Sequence, residues 1–346
     1  SFCTLLAASD SSTMRELVPT KPYDCAPFQG GKVRGLFIGI NYTNSEAELK
    51  GCVNDVRTML ATLQRIGFPL QEALILVDDP AYPGCAGPPT RRNIENGMRW
   101  LSAGCSAGDT LFLHYSGHGS QRRNRDGTEA DGFDETMVPL DYQEAGQIVD
   151  DDVYNMVVRP LPAGVRLTAV MDCCHSGTLM DLPYEFVATR DNMEQYAGAR
   201  NSGFTEGNKN HSPADVMLFS GCADDQTSAD VTGGNFKTPG NHPGASGGAC
   251  TGALAEVFTT TSGLTFVDLL LGLRQSLHKR GYKQLPQLSA TKPIDLTRVF
   301  SLFGPLAAVD NFQPPPGAQF NHGGQPAPPP GPPPPMAGGG YPSPPP

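Results

Sequence analysis

Val165-Arg166-Leu167-Thr168-Ala169-Val170-Met171-Asp172-Cys173-Cys174-His175-Ser176-Gly177 is the stretch on which the reading of the fold turns. Its first seven residues form an apolar run interrupted only by Arg166 and Thr168, the length of a buried strand, and the remainder is largely polar and ends on glycine. Asp109–Tyr115 (DTLFLHY) has the same character and runs into Ser116-Gly117-His118-Gly119. Each run therefore delivers a reactive side chain just past a strand end. If Val165–Asp172 stays extended into the turn, strand alternation puts Asp172 and Cys174 on one side and Cys173 on the other. That alternation favours Cys174 over Cys173 as the reactive thiol.

Outward from these two strands, β-like and helix-like periods alternate. Lys32–Ile40 reads as a buried strand, and Asn54–Ile66 carries Val56, Met59, Leu60 and Leu63 at helical spacing. Ala73–Val77 is a further strand, and Thr90–Leu101 a helix opening on a threonine cap. A helix is expected near Asp151–Val158, a strand at Val216–Ser220, and helices near Ala249–Phe258 and Thr265–His278. This order predicts an α/β fold, a mostly parallel sheet flanked by helices on both faces. In such sheets ligands sit beyond the carboxyl ends of the strands, where Asn41, Ser116, His118 and Cys174 all fall.

Composition bounds the rest. Of the 33 prolines, 15 lie in Pro314–Pro346, which holds no Leu, Ile or Val. Such a segment buries too little apolar surface to offset its ordering entropy, so 306–346 is expected to be a disordered, polyproline-II-biased tail. Residues 1–29 form an N-terminal extension and 30–305 the packed domain. The net charge of −10, with basic pairs short and scattered, argues against a nucleic-acid partner. Nine cysteines without regular spacing suit a reducing, intracellular and cytoplasmic setting rather than a disulfide framework. No apolar run approaches the roughly 18 residues of a membrane span, and Ser1–Ala8 lacks the basic start and length of a secretory signal.

The chemistry begins with the thiol. A cysteine of pKa about 8.5 is mostly protonated at neutral pH, so a nucleophilic thiol needs a base. An imidazole that takes its proton can later return it to a leaving amine. His118, flanked by glycines that let backbone approach a substrate, is the better base, because the adjacent His175 points away as chain neighbours usually do. Cys174 lies 56 residues beyond His118, near the roughly 50-residue spacing of caspase-type thiol proteases. Taken alone, a buried cysteine also reads as an inert small hydrophobe; the paired motifs at matching strand ends favour the peptidase reading.

The Tyr115-Ser116-Gly117-His118-Gly119 and Asp172-Cys173-Cys174-His175-Ser176-Gly177 motifs, with Gly51-Cys52-Val53-Asn54-Asp55 upstream, resemble those of the type I metacaspases, caspase-like cysteine peptidases. The resemblance extends over roughly residues 30–300. It implies a caspase-like sheet, a His118–Cys174 dyad, an oxyanion hole of the Gly119 and Cys174 backbone N–H groups, and cleavage after Arg or Lys. It assigns Cys52, Asp55, Ser116 and Asp172 to the pocket for that basic side chain. The residues supply a physical counterpart, since a guanidinium is best met by desolvated carboxylates. Asp172 lies beside the nucleophile, and Asp55 on the first turn of the helix after strand one, three residues from Cys52 on the same helical face. Stabilisation of the helix terminus is the other reading of Asp55.

The resemblance also implies Ca2+ activation through Asp134, Asp150, Asp151 and Asp181. Calcium takes six to eight oxygen ligands in relaxed geometry, so carboxylates from several loops can cage it. Helix capping is the other reading of Asp150 and Asp151, and Asn124–Glu135 does not fit an EF-hand. Zinc is a poor fit, because adjacent Cys173, Cys174 and His175 lack the spacing of a zinc site. The Gly-, Asn- and Ser-rich stretch 188–248 reads as a mobile loop in which Lys237, set among glycines, is the candidate for self-cleavage. PxxP spacing in the tail suits an SH3- or WW-type partner. A recruitment scaffold with a vestigial peptidase domain and a thiol redox protein using Cys173–Cys174 are the rival classes.

Overall fold

The structure, a computed structural model, describes residues 30–124, 133–173, 178–187, 204–207, 210–220, 230–231, 247–260, 263–282, 287–308 and 312. The N-terminal extension and most of the 188–248 stretch and of the proline-rich tail lie outside them. Among the described residues a nine-stranded sheet runs in the order β10-β9-β14-β11-β8-β4-β1-β2-β3, with β9 at Tyr184–Val187, β10 at Thr205–Glu206 and β14 at Gln287–Ala290, and β12 (Asp230–Val231) pairs separately with β13 (Gly247–Gly248). Its centre is parallel: β1 (Val33–Gly39), β2 (Glu72–Val77), β3 (Cys85–Gly87), β4 (Thr110–Ser116), β8 (Arg166–Asp172) and β11 (Asp215–Ser220). Every residue of β4, β8 and β11 is buried. Such strands need both faces covered, which the crossover helices of a parallel sheet provide.

The two-residue period sorts the core into two layers. Phe37, Phe112, Val170 and Phe219 face α1 (Cys52–Arg65), α5 (Ala249–Thr260) and α6 (Phe266–Lys279). Leu36, Ile38, Leu113 and Leu218 face α2 (Arg91–Ser102) and, beyond the single turn α3 (Tyr142–Ala145), α4 (Asp150–Val153), which continues as a π-helical turn over Tyr154–Val158. α2 opens on Thr90, whose hydroxyl accepts from Asn93 N at 3.3 Å, as expected of the cap. α5 is sandwiched between sheet and α6 and is apolar almost all round, with nine buried residues.

The α/β reading holds, and each long strand and helix falls within a residue or two of its expected bounds, apart from the Asp151–Val158 helix, which closes in the π-turn. Sequence reasoning left out the shorter strands. β14 (Gln287–Ala290), β9 (Tyr184–Val187) and β10 (Thr205–Glu206) extend one side of the sheet antiparallel. Their four residues or fewer are too short for a periodic signal. A second, antiparallel sheet of β5 (Gly119–Arg123), β6 (Phe133–Met137) and β7 (Ile148–Val149) leaves the tip of β4 and carries polar residues on both sides. No helix among the described residues is long and apolar enough to cross a membrane.

Candidate active site

β4 and β8 are neighbours in parallel register, with Ser116 opposite Asp172. His118 and Cys174 each lie two residues beyond that matched pair. Cys174, with His175, Ser176 and Gly177, lies outside the described residues. Cys173 is described, and it is fully buried in the apolar layer with Tyr42 and Tyr115. Asp172 turns to the opposite face, accepting a hydrogen bond from the backbone N of Thr251 at 2.7 Å. The alternation expected through Asp172 and Cys173 is therefore present, and it removes Cys173 from the reactive face.

His118 is half-buried and held from several sides. Its Nε2 lies 2.8 Å from the carbonyl oxygen of Ala47. A carbonyl only accepts, so Nε2 carries the hydrogen and Nδ1 of the neutral ring keeps its lone pair. The backbone is fixed by two phenols. Tyr42 accepts from His118 N at 3.0 Å and donates to Val138 O at 2.6 Å, while Tyr115 donates to His118 O at 2.6 Å. Burial pushes both phenols well above their ordinary pKa, so both remain donors. The Tyr42 ring also packs on the imidazole, centroids 4.8 Å apart. A Cβ on Gly117 would sit 2.8 Å from the Tyr115 hydroxyl, which explains the glycine there. Sequence reasoning missed Tyr42. Its one signal is an aromatic three residues past β1, and in the structure its backbone lies in the left-handed region at φ 50°.

The four residues assigned to a basic-side-chain pocket divide between contact and proximity. Asp55 and Asp172 are only 2% and 4% exposed. Ser116 Oγ donates to Asp55 Oδ2 at 2.6 Å, and Gly248 N donates to Asp55 Oδ1 and Oδ2 at 2.8 and 2.9 Å. A Cβ on Gly248 would collide with Asp172 Oδ2 and fall 2.8 Å from Asp55 Oδ2. The two carboxylates thus flank one stretch of backbone at the start of α5. Asp55 serves that meeting point and not merely the α1 terminus. Cys52 is buried at the first position of α1. Gly119 opens β5 directly after His118 and is half-buried.

Asp134, Asp150 and Asp181 are buried around β6, together with Glu135, and Asp151 is half-buried. Arg122 Nε and Asn124 Nδ2 donate to Asp134 at 2.8 and 2.5 Å. Asp150 accepts from the backbone of Glu135 at 2.7 Å and of Asp151 at 2.8 Å, so it fastens β6 to the start of its own helix, whose N-cap position is Val149 and carries no side-chain cap bond. Thr178 Oγ1 donates to Glu135 at 2.6 Å, and Asp181 N to Thr178 O at 2.7 Å. The donor set is all oxygen, which fits calcium chemically and excludes a thiolate-type metal. Among the described residues, however, no three His, Cys, Asp or Glu side chains are drawn together as a metal site. Lys237 lies outside the described residues.

A sheet of this order, with a histidine and two buried carboxylates beyond its carboxyl edge, is the frame of a caspase-like α/β domain. Residues 33–183 match the family model of the metacaspase peptidase C14 domain. The chain is 50% identical over 290 residues to metacaspase-5 of Trypanosoma cruzi, covering 83% of this chain and 64% of that protein. It is 46% identical over 282 residues to metacaspase-3 of the same organism, covering 82% and 77%. A Trypanosoma brucei brucei relative named an inactive metacaspase is 44% identical over 275 residues, covering 79% and 76%. A crystal structure of a Geobacter sulfurreducens protein superposes with a TM-score of 0.50 at 23% identity, covering 79% of this chain and 99% of that one, and supports the fold. The chain belongs to the metacaspases. It spans less than two thirds of the metacaspase-5 relatives' length.

Proposed function

We propose that this chain is a cysteine endopeptidase that cuts peptide bonds after Arg or Lys with a His118–Cys174 dyad. A relative named inactive shows that membership and catalysis are separate matters, so the reading rests on the site. The observation that carries it is the matched register of Ser116 and Asp172, from which His118 and Cys174 are each two residues removed. Parallel strands lie about 4.8 Å apart, so both chains leave the sheet side by side. With Nε2–H committed to Ala47 O, Nδ1 is the nitrogen that takes the thiol proton. The thiolate attacks the scissile carbonyl, the Gly119 and Cys174 N–H groups stabilise the oxyanion, and Nδ1–H then protonates the leaving amine. Ala47 O and the Tyr42 ring hold the imidazole in that orientation.

Asp55 and Asp172 supply the acidic end of the pocket. The cationic side chain would lie against carboxylates already oriented by Ser116, Gly248 and Thr251, so little reorganisation accompanies binding. Calcium would be held by Asp134, Asp150, Asp151 and Asp181 after Asp134 exchanges Arg122 for the ion, and would supply charge neutralisation among buried carboxylates. Self-cleavage at Lys237 and an SH3- or WW-type partner for the tail belong to the same reading of the chain. A reducing, cytoplasmic setting belongs to the same reading, in keeping with Cys85 and Cys105 as thiols.

A fluorogenic peptide ending in Arg or Lys, with and without calcium, tests this reading. Turnover that requires Cys174, His118 and calcium is expected. Turnover that survives Cys174→Ala would overturn the dyad. Intact mass of the Cys174→Ala variant beside the unmutated chain in calcium tests self-cleavage, and two whole proteins would refute it.

A further inference from the structure

Strand β4 presents His114 and Ser116 on the same face, two residues apart. Ser116 reaches Asp55 directly. His114 reaches the other carboxylate through one intermediary: its Nε2 lies 3.1 Å from Thr251 Oγ1, and the backbone N of Thr251 donates to Asp172 Oδ2 at 2.7 Å. Thr251 is the third residue of α5, so its N–H is among the amides a helix leaves without an internal partner. The same helix end gives Gly248 N to Asp55.

We infer that Thr251, keyed to the sheet by His114, is the positioning residue that sets Asp172 for the cationic side chain of the substrate; this rests on the pocket reading above. The cost of the arrangement is visible. His114 is fully buried, and among the described residues its Nδ1 meets no hydrogen-bond partner. A buried unpaired N–H is rarer than a buried unpaired acceptor, so Nε2 carries the hydrogen and donates to Thr251. Beside the Phe37 ring and under α5, a residue chosen for stability alone would be apolar. What the histidine gives in return is lateral location. Apolar helix packing tolerates small shifts, whereas one directional bond fixes where α5 begins relative to β4. The strand that positions Asp55 through Ser116 thereby positions Asp172 as well, with Gly248 wedged between them.

The test uses the full chain and monitors alkylation of Cys174 by iodoacetamide, a small neutral reagent, with butylguanidinium as the pocket probe. Thr251→Val keeps shape and backbone amide but removes the hydroxyl. It should leave the alkylation rate unchanged and raise the half-protective butylguanidinium concentration about five- to tenfold, the scale of one buried hydrogen bond. KM for Arg-terminated peptides should rise likewise at near-constant kcat. Thr251→Ser and His114→Gln, which keep the bond, should stay near the parent. His114→Leu should reproduce Thr251→Val, and the double variant should be no worse than either. Equal protection of parent and Thr251→Val, or additive effects in the double variant, would overturn the inference alone. Absence of any protection in the parent would remove the pocket reading and this inference with it.

Discussion

Two groups of buried carboxylates lie in one domain and are tolerated in different ways. Asp55 and Asp172 are met by fixed donors: backbone amides at the start of a twelve-residue helix and a hydroxyl on the central strand. Asp134 is met by Arg122, whose side chain is 56% exposed, and by the Asn124 amide at the end of β5. The first pair cannot relax without moving α5 or β4. The second loses its cation by rotating one solvated side chain. The pocket proposed for the first group calls for preorganisation, and the calcium site proposed for the second calls for exchangeable partners.

Removing the base beside the first group should cost most. His118→Ala, which leaves the pocket intact, should lower kcat by roughly 10²–10⁴-fold on an Arg-terminated peptide, the usual scale for losing a general acid–base. Asp172→Asn leaves the Thr251 amide bonded but removes the charge. The kcat/KM for Arg peptides should fall about 10²-fold, in line with losing one partner of a buried charge pair, while a neutral thiol reagent reacts unchanged. Equal loss in both assays would mean that the pocket and the dyad are not separable.

Stability against pH sharpens the comparison from the sheet side. Burial holds His114 down to about 3, against an ordinary 6.5. Between those values the unfolded chain binds one proton more than the folded chain, so stability falls as pH drops through that window, by up to about 1.4 kcal/mol per unit from this group. His114→Gln should flatten that slope in urea titrations at successive pH values. An unchanged slope would show that His114 does not titrate in this way. Tyr42→Phe removes one hydroxyl bridging His118 N and Val138 O, and should lower kcat about fivefold with KM unaffected. The smallest effect belongs to the second group: Arg122→Ala removes the guanidinium from Asp134, leaving the Asn124 bond, and should tighten calcium binding a few-fold by calorimetry, as expected for a largely solvated ion pair. Weaker binding would mean that Arg122 supports the site rather than guarding it.

Much of this was legible in the chain. The strands β1, β4, β8 and β11 announce themselves because a strand covered on both faces must be apolar along its length. Asp172 and Cys173 point to opposite sides because the period of a strand is two. The β5–β6 hairpin was not legible, since GSQRR and FDETM carry polar residues on both sides and are held by pairing rather than by burial. Tyr42 and Thr251 left almost no signal either. Each acts through a contact with a residue 76 or 79 positions away, and such distances carry no periodicity.

The amino-acid sequence by itself determined the class of fold, the strand ends at which chemistry collects, and the residue types present there, because hydrophobic period and turn chemistry are local properties. Only the tertiary structure decided which nitrogen of His118 holds its hydrogen, that α5 brings amides to both Asp55 and Asp172, and that Asp134 rests on Arg122. Those are choices of hydrogen-bond partner, and a partner is chosen only when packing has set which groups lie within about 3 Å of one another.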